Sequence, residues 1–272
     1  MKKLQTWFWV GVLLSFGLGC LPNSNADEVV VPTRADPEGA RTAIVRTQNA
    51  PPPGFESIAF NPIDFNKDEL PGWYAEVTVN FEGQYTATGS PTTDALKMEV
   101  WENGLRRTRR VILQFVGEAL SAGITRVEAV RVGDDFYLLD STGVCTQNSS
   151  AAQQIATLSV GSVVGGVTLA LPTGTQAEVN GYDAWQYGFG AENLAINIFA
   201  QPPSQVQIEG GEVWVWPEFR VVPRFGAALQ VHNALILFGE QPVTGRLRYQ
   251  FNLYEVYYGQ DDQPNISLPN GC

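Results

Sequence analysis

The sequence predicts a mainly β body: one large curved antiparallel sheet, a half-barrel of about nine to eleven strands, with one or two helices covering its concave face. Three observations carry that expectation. Apolar and polar residues alternate through most of the chain beyond residue 70. Turn pairs such as Asn180-Gly181 separate the alternating runs. Clear helical spacing is confined to one stretch near residues 149–166.

Taken in order, "WYAEVTVNFEG" sets Trp73, Ala75, Val77, Val79 and Phe81 on one side and Tyr74, Glu76, Thr78 and Asn80 on the other, the pattern of a half-buried antiparallel strand. "DALKMEVWENG" and "RRTRRVILQFVGE" read as the next two strands, joined near Asn103-Gly104. "TRVEAVRVGDDFYLLD" is a hairpin turning at Gly133-Asp134. "NSSAAQQIATLSVGSVVGG" reads as a helix, with Ser149 or Ser150 as its cap, Ile155, Leu158, Ser162 and Val163 on one face and Gly165-Gly166 as its stop. "AEVNGYDAWQYGF" turns at Asn180-Gly181, which suits a type I′ hairpin because both positions need positive φ. "ENLAINIFAQ", "SQVQIEGGEVWVWPEFRVVPRF" and "GRLRYQFNLYEVYYG" supply the later strands, with Pro217 and Pro223 marking an edge or bulges. Residues 225–239 fit either a helix or a strand; their strand flanks favour strand.

Composition bounds the function. Charged residues are only 17% of the chain, against 44% hydrophobic, so the body is globular and able to hold its own core. The formal charge is −11; loss of Lys2 and Lys3 with a cleaved leader leaves 15 cations against 28 anions, or −13. Such a body repels phosphate backbones, and nucleic acid is excluded as a partner.

The N-terminus reads as an export signal. Met1-Lys2-Lys3 precedes the uncharged run "LQTWFWVGVLLSFGLG", which is shorter than a comfortable membrane span. An uncleaved anchor is the other reading. Gly17-Leu18-Gly19-Cys20 resembles a bacterial lipobox, with Gly17 where Leu is usual, and implies lipidation at Cys20. Residues 1–19 are thus expected to be a signal peptide, 20–54 a lipidated cysteine and polar tether, and 55–272 the folded domain, its residues 55–72 lying as an arm or turn. The protein would be exported and held at the outer face of the cell membrane or in the periplasm by Cys20. If Cys20 carries lipid, Cys145 and Cys272 remain either as a disulfide or as two buried thiols.

Catalytic patterns are missing. No GxSxG, HExxH or CxxC occurs, and the one histidine, His232, cannot build a usual zinc site. Asp134-Asp135 reads as a pair of turn residues rather than as a calcium site. No cofactor is implied, and the expected activity is non-enzymatic. "RRTRR" at 106–110 is either a set of solvated edge charges or an arginine cluster at a rim, facing an acidic headgroup or partner. Trp73, Trp101, Trp185, Trp214 and Trp216, with Tyr182, Tyr187, Tyr249 and Tyr254, either fill a core or line an apolar groove.

The lipobox, the tether, "LPGWYAEVTVNFEG", "RVEAVRVGDDFYLLD", the helix, "VNGYDAWQYGF" and the terminal "ISLPNGC" together resemble bacterial lipoproteins of the LppX/LprG and LolA/LolB superfamily. That resemblance covers residues 70–272. It implies an open half-barrel whose concave face is capped by helices and binds acyl chains, with no catalytic motif. The expected partners are a lipid or acylated ligand, the membrane through the anchor, and another envelope protein. Val77, Val79, Phe81, Ile155, Leu158, Leu247, Tyr249, Phe251 and Leu253 are the expected lining, or the core just beneath it. A surface interaction module with a packed core is the alternative.

Overall fold

The computed structural model describes residues 50–60, 70–117, 126–195, 205–236 and 241–272. The chain divides into two units, Met1–Gln48 and Asn49–Cys272, and all described residues belong to the second. The expected signal peptide, Cys20 and most of the tether lie outside the described residues, as do residues 61–69 of the arm and most of "ENLAINIFAQ".

Two meanders make the sheet. The first runs through β2 (Gly72–Tyr85), β3 (Pro91–Asn103), β4 (Thr108–Gly117), β5 (Arg126–Val132), β6 (Asp135–Leu139) and β7 (Cys145–Gln147), each strand pairing with the next. The second runs through β8 (Gly166–Val179), β9 (Tyr182–Gly188), β11 (Gln205–Trp216), β12 (Val221–Ala234) and β13 (Val243–Tyr257). β13 then pairs with β2 along almost its whole length, from Val243↔Tyr85 to Tyr257↔Gly72, and joins the meanders into one open sheet. With β1 (Ile58–Phe60) and β10 (Leu194–Ala195), both paired to the first half of β8, thirteen strands are present among the described residues. The excess over the expected nine to eleven comes mainly from β1, β7 and β10, which at two or three residues are too short to show a period.

Because β7 and β8 sit far apart in the strand order, the segment between them must cross the sheet. It does so as two short helices rather than the single expected one: α1 (Ser150–Ala156), packed on β4, β5 and β6, and α2 (Val160–Val164), packed on β2 and β13. The break follows from local chemistry. Ser149 Oγ accepts the Ala152 N–H at 3.1 Å and caps α1. Ser159 Oγ accepts the Ser162 N–H at 3.1 Å and opens a second helix. Hydroxyl side chains that bond their own backbone favour caps over helix interiors.

The inner face carries the core. Trp73, Ala75, Val77, Val79 and Phe81 of β2 continue across β13 as Leu253, Phe251, Tyr249 and Leu247, and across β12 as Phe225, Ala227 and Leu229. Besides the helices, a flap closes over this surface: Phe60 of β1 meets Phe225 edge-on at 5.1 Å and Phe251 at 6.1 Å. The 225–239 ambiguity resolves to strand through Ala234, with residues 237–239 outside the described set. Pro217 starts a 3-10 turn, and the register slips between Trp214 and Trp216 just before it. Pro223 lies within β12, where the pairing with β11 passes from Arg224 to Val221. At Asn180-Gly181 both φ angles are positive, 54° and 86°, as the type I′ hairpin demands.

Residues 258–272 form a strap across the outer face. Gln263 packs over Gly72 at the start of β2, and Asn103 Nδ2 at the end of β3 donates to the Pro264 carbonyl at 3.1 Å. The strap ends where Cys272 is bonded to Cys145 of β7, so the two cysteines form a disulfide rather than free thiols. From β13 to β7 is six strand spacings, roughly 29 Å; the extended segment reaches about 50 Å.

Candidate functional site at the rim of the sheet

The expected lining residues are placed together. Val77, Val79, Phe81, Leu247, Tyr249, Phe251 and Leu253 are contiguous on the inner face, each no more than 2% exposed. Ile155 of α1 and Leu158, just beyond its end, pack partly buried against the same core. Burial pushes the Tyr249 hydroxyl well above the usual tyrosine range, and its oxygen has no hydrogen-bond partner among the described residues. The aromatic residues divide: Trp73, Tyr187 and Tyr249 join the inner core, with Trp185 and Trp216 packed against it. Trp101 stacks on Tyr74 at 4.6 Å on the outer side, and Tyr74 on Tyr254 at 5.8 Å.

Three clefts stand out. One of about 270 Å³ lies at the far end of β2 and β3, among Asn80, Glu82, Thr93, Arg246 and Arg248. A second, of about 450 Å³, lies on the outer face over Gly210, Gly226 and Ala228. The third, about 530 Å³, opens at the rim where β2 begins and β3 ends. Leu70, Pro71, Trp73, Gly104 and Leu105 give it apolar walls, Thr157 closes it from the end of α1, and Glu102, Arg107, Arg109 and Arg131 supply its charge.

The charged group arises from register. Pairing sets Trp73, Glu102, Arg109 and Arg131 side by side across β2, β3, β4 and β5. All four continue the inward parity of their strands: Glu102 follows Leu96, Met98 and Val100; Arg109 precedes Val111 and Leu113; Arg131 follows Val127 and Ala129. Arg109 Nη1 donates to Glu102 Oε2 at 2.9 Å, and Arg131 Nη2 donates to Glu102 Oε1 at 2.9 Å. One carboxylate thus serves two guanidinium groups. Arg109 Nη2 also donates to the Leu158 carbonyl at 2.7 Å, tying the end of α1 to the sheet, and its guanidinium lies 5.6 Å from the Trp73 ring centre. At the lip, Arg107 pairs with Asp134 at 2.6 Å.

The "RRTRR" stretch therefore divides three ways. Arg106 and Arg107 are in the β3–β4 turn rather than on a strand. Arg109 points inward with its side chain 8% exposed. Arg110 points outward, paired with Glu128 at 2.7 Å and over the Trp101 ring. Glu102 and Arg131 escape a reading by motif. Their signal is an inward-parity charge at the end of each of three successive strands, which becomes visible only once those strands are paired.

His232 lies on β12 with its Nδ1 3.2 Å from Thr244 Oγ1. Among the described residues, no three His, Cys, Asp or Glu side chains converge as a metal site, and no helix is long and apolar enough to cross a membrane.

No protein-family model and no curated protein sequence matches the chain. Solved structures do. An uncharacterized conserved protein from Thermus thermophilus is 12% identical, covering 72% of this chain and 91% of its own, with a TM-score of 0.24. A domain provisionally assigned to outer membrane lipoprotein sorting, from Vibrio parahaemolyticus, is 11% identical over 72% of this chain and 92% of its own, with a TM-score of 0.24. A LolA superfamily protein from Nitrosomonas europaea is 11% identical over 72% of this chain and 91% of its own, with a TM-score of 0.23.

Proposed function

We propose that the protein is an exported, acyl-anchored, non-catalytic binder of a hydrophobic, lipid-like ligand, and that the ligand is received at the rim cleft. The observation carrying this reading is the cleft's position: about 530 Å³ of space, within the ordinary range for small-molecule sites, beside Trp73 at the end of the apolar inner face. Trp73 leads along β2 to Ala75, Val77 and Val79, so a hydrocarbon tail entering here meets apolar surface at every step inward. The path along β2 lies under α2, which buries Val160, Val163 and Val164, whereas the mouth of the cleft lies at the end of α1, over β4–β6. α1 has seven residues and buries only two alanines, Ala152 and Ala156, against the sheet. Displacing α1 would widen the mouth of the cleft, and a tail reaching further along β2 would also displace α2; local openings of this kind cost less than unfolding the domain. Anchoring through Cys20 rests on the leader sequence, and the Cys145–Cys272 bond suits an oxidising compartment.

A second reading, a surface module that contacts another envelope protein, draws on the dense core under β2 and β13, where all seven expected lining residues on those strands are withdrawn from solvent. Native mass spectrometry separates the two. The full exported chain carrying Cys20→Ala should co-purify with lipid adducts that organic extraction removes. Bare protein that also fails to bind a fluorescent fatty acid supports the interaction module.

A further inference from the structure

Resting on that reading, we infer that the rim cleft selects amphiphiles by an anionic head, a carboxylate or a phosphate monoester, held by Arg131 and Arg109 while the tail runs past Trp73.

Charge sets the sign. Arg109 and Arg131 share the single carboxylate of Glu102, and Arg107 is matched by Asp134, so the row carries one surplus positive charge. The full chain has a formal charge of −11, yet three of its arginines line this cavity beside a single carboxylate. Burial makes the surplus costly. The Arg109 side chain is 8% exposed, and the Nε–H groups of both Arg109 and Arg131 are buried without an acceptor among the described residues. Buried donors ordinarily find partners. An uncompensated guanidinium in a half-dry cleft is stabilised most by an anion able to accept several N–H bonds in its plane, which a carboxylate or phosphate does and a hydroxyl or ammonium does not.

The two arginines differ in what else they do. Arg109 is committed to Glu102, the Leu158 carbonyl and the Trp73 face, so it fixes α1 as well as contributing charge. Among the described residues Arg131 donates to Glu102 alone, and its side chain is 27% exposed, which leaves its remaining donors available at the cleft. Glu102 competes with the ligand for both groups. Neutralising it should tighten the binding of an anion, an effect that a purely structural ion pair does not produce.

The test uses the full exported chain with Cys20→Ser, delipidated, and four probes sharing a fourteen-carbon tail: the carboxylate, the phosphate monoester, the alcohol and the primary amine. Calorimetric titration should rank the anionic probes at least about tenfold above the alcohol, with the amine weakest. Arg131→Gln should weaken the anionic probes by ~10- to 100-fold and leave the alcohol within about twofold. Arg131→Lys should recover part of the loss, and Glu102→Gln should strengthen the anionic probes. Carboxylate and phosphate titrations identify which of the two heads fits better. If all four probes bind wild-type protein alike, or Arg131→Gln weakens alcohol and anion equally, the anionic site is overturned while lipid binding stands. If no probe binds, both readings fall.

Discussion

Reduction of the Cys145–Cys272 disulfide should destabilise the domain through its unfolded state more than through its native contacts. The bond joins residues 127 apart in sequence. For a loop of that length the chain-entropy relation gives about 5 kcal/mol at 25 °C, near the top of the observed range for disulfides. A domain of this size loses roughly 2–4 °C of Tm per kcal/mol, so Cys145→Ser/Cys272→Ser should melt about 10–20 °C lower. The double variant and chemically reduced wild type should agree, because both release the same constraint. Two further readouts identify the mechanism. The urea m-value should rise, since the opened unfolded chain exposes more surface. Amide exchange should quicken along residues 258–272 before it quickens in β2 or β13, because the strap is otherwise held by few bonds, among them those of Gln263 and the Asn103–Pro264 contact. A Tm change under about 3 °C, with an unaltered m-value, refutes the reasoning and makes the strap an ornament on an already stable sheet.

Other outcomes follow from single sites. Arg109→Met should cost about 3 kcal/mol by thermal or urea unfolding, since Glu102 keeps only Arg131 and the Leu158 carbonyl loses its donor. Gly181→Ala should cost about 1–2 kcal/mol although an added Cβ meets nothing within 4 Å, because a φ of 86° strains any L side chain; Gly210→Ala, equally open but free of positive φ, should be neutral or stabilising by up to ~1 kcal/mol in the same assay. Burial holds the Tyr182 phenol neutral and pushes its pKa up to about 12. Its contribution to stability is complete below the ordinary value of 10.0 and is lost as pH rises through about 12, so Tyr182→Phe should flatten the alkaline limb of a Tm-against-pH curve.

Where one face of a strand is buried and the other wet, the sequence must alternate, and those strands are readable without coordinates. β2 and β13 show it: slipping either by one residue would carry Val77 or Phe251 into solvent. The Asn180-Gly181 turn is equally legible, because few residue pairs tolerate two positive φ angles. β8 is not legible, and the reason is physical. Its first half pairs with β1 and β10, its second half with β9, and the register slips between Pro172 and Gln176. Much of it is exposed on both faces, so nothing compels a period of two. The break between α1 and α2 was hidden because Ile155, Leu158, Ser162 and Val163 keep helical spacing across Thr157–Ser159, where hydroxyl capping ends one helix and starts the next.

The rim site was only half visible for a related cause. "RRTRR" draws attention by composition, yet four of its residues are arginines on a strand and turn whose facing is set by the partner strand. Parity alone puts Arg109 on the same side as Val111, a placement that costs free energy unless a carboxylate stands opposite. Register supplies Glu102 from one neighbour and then Arg131 from the other, which leaves the row with more positive than negative charge. A designer seeking only stability would end these strands with apolar residues or with a matched pair. Three inward charges beside a cleft, with two guanidinium groups on one carboxylate, lose stability relative to either option. That loss falls at a rim where apolar wall, buried cation and open space meet, and an incoming anion would recover it.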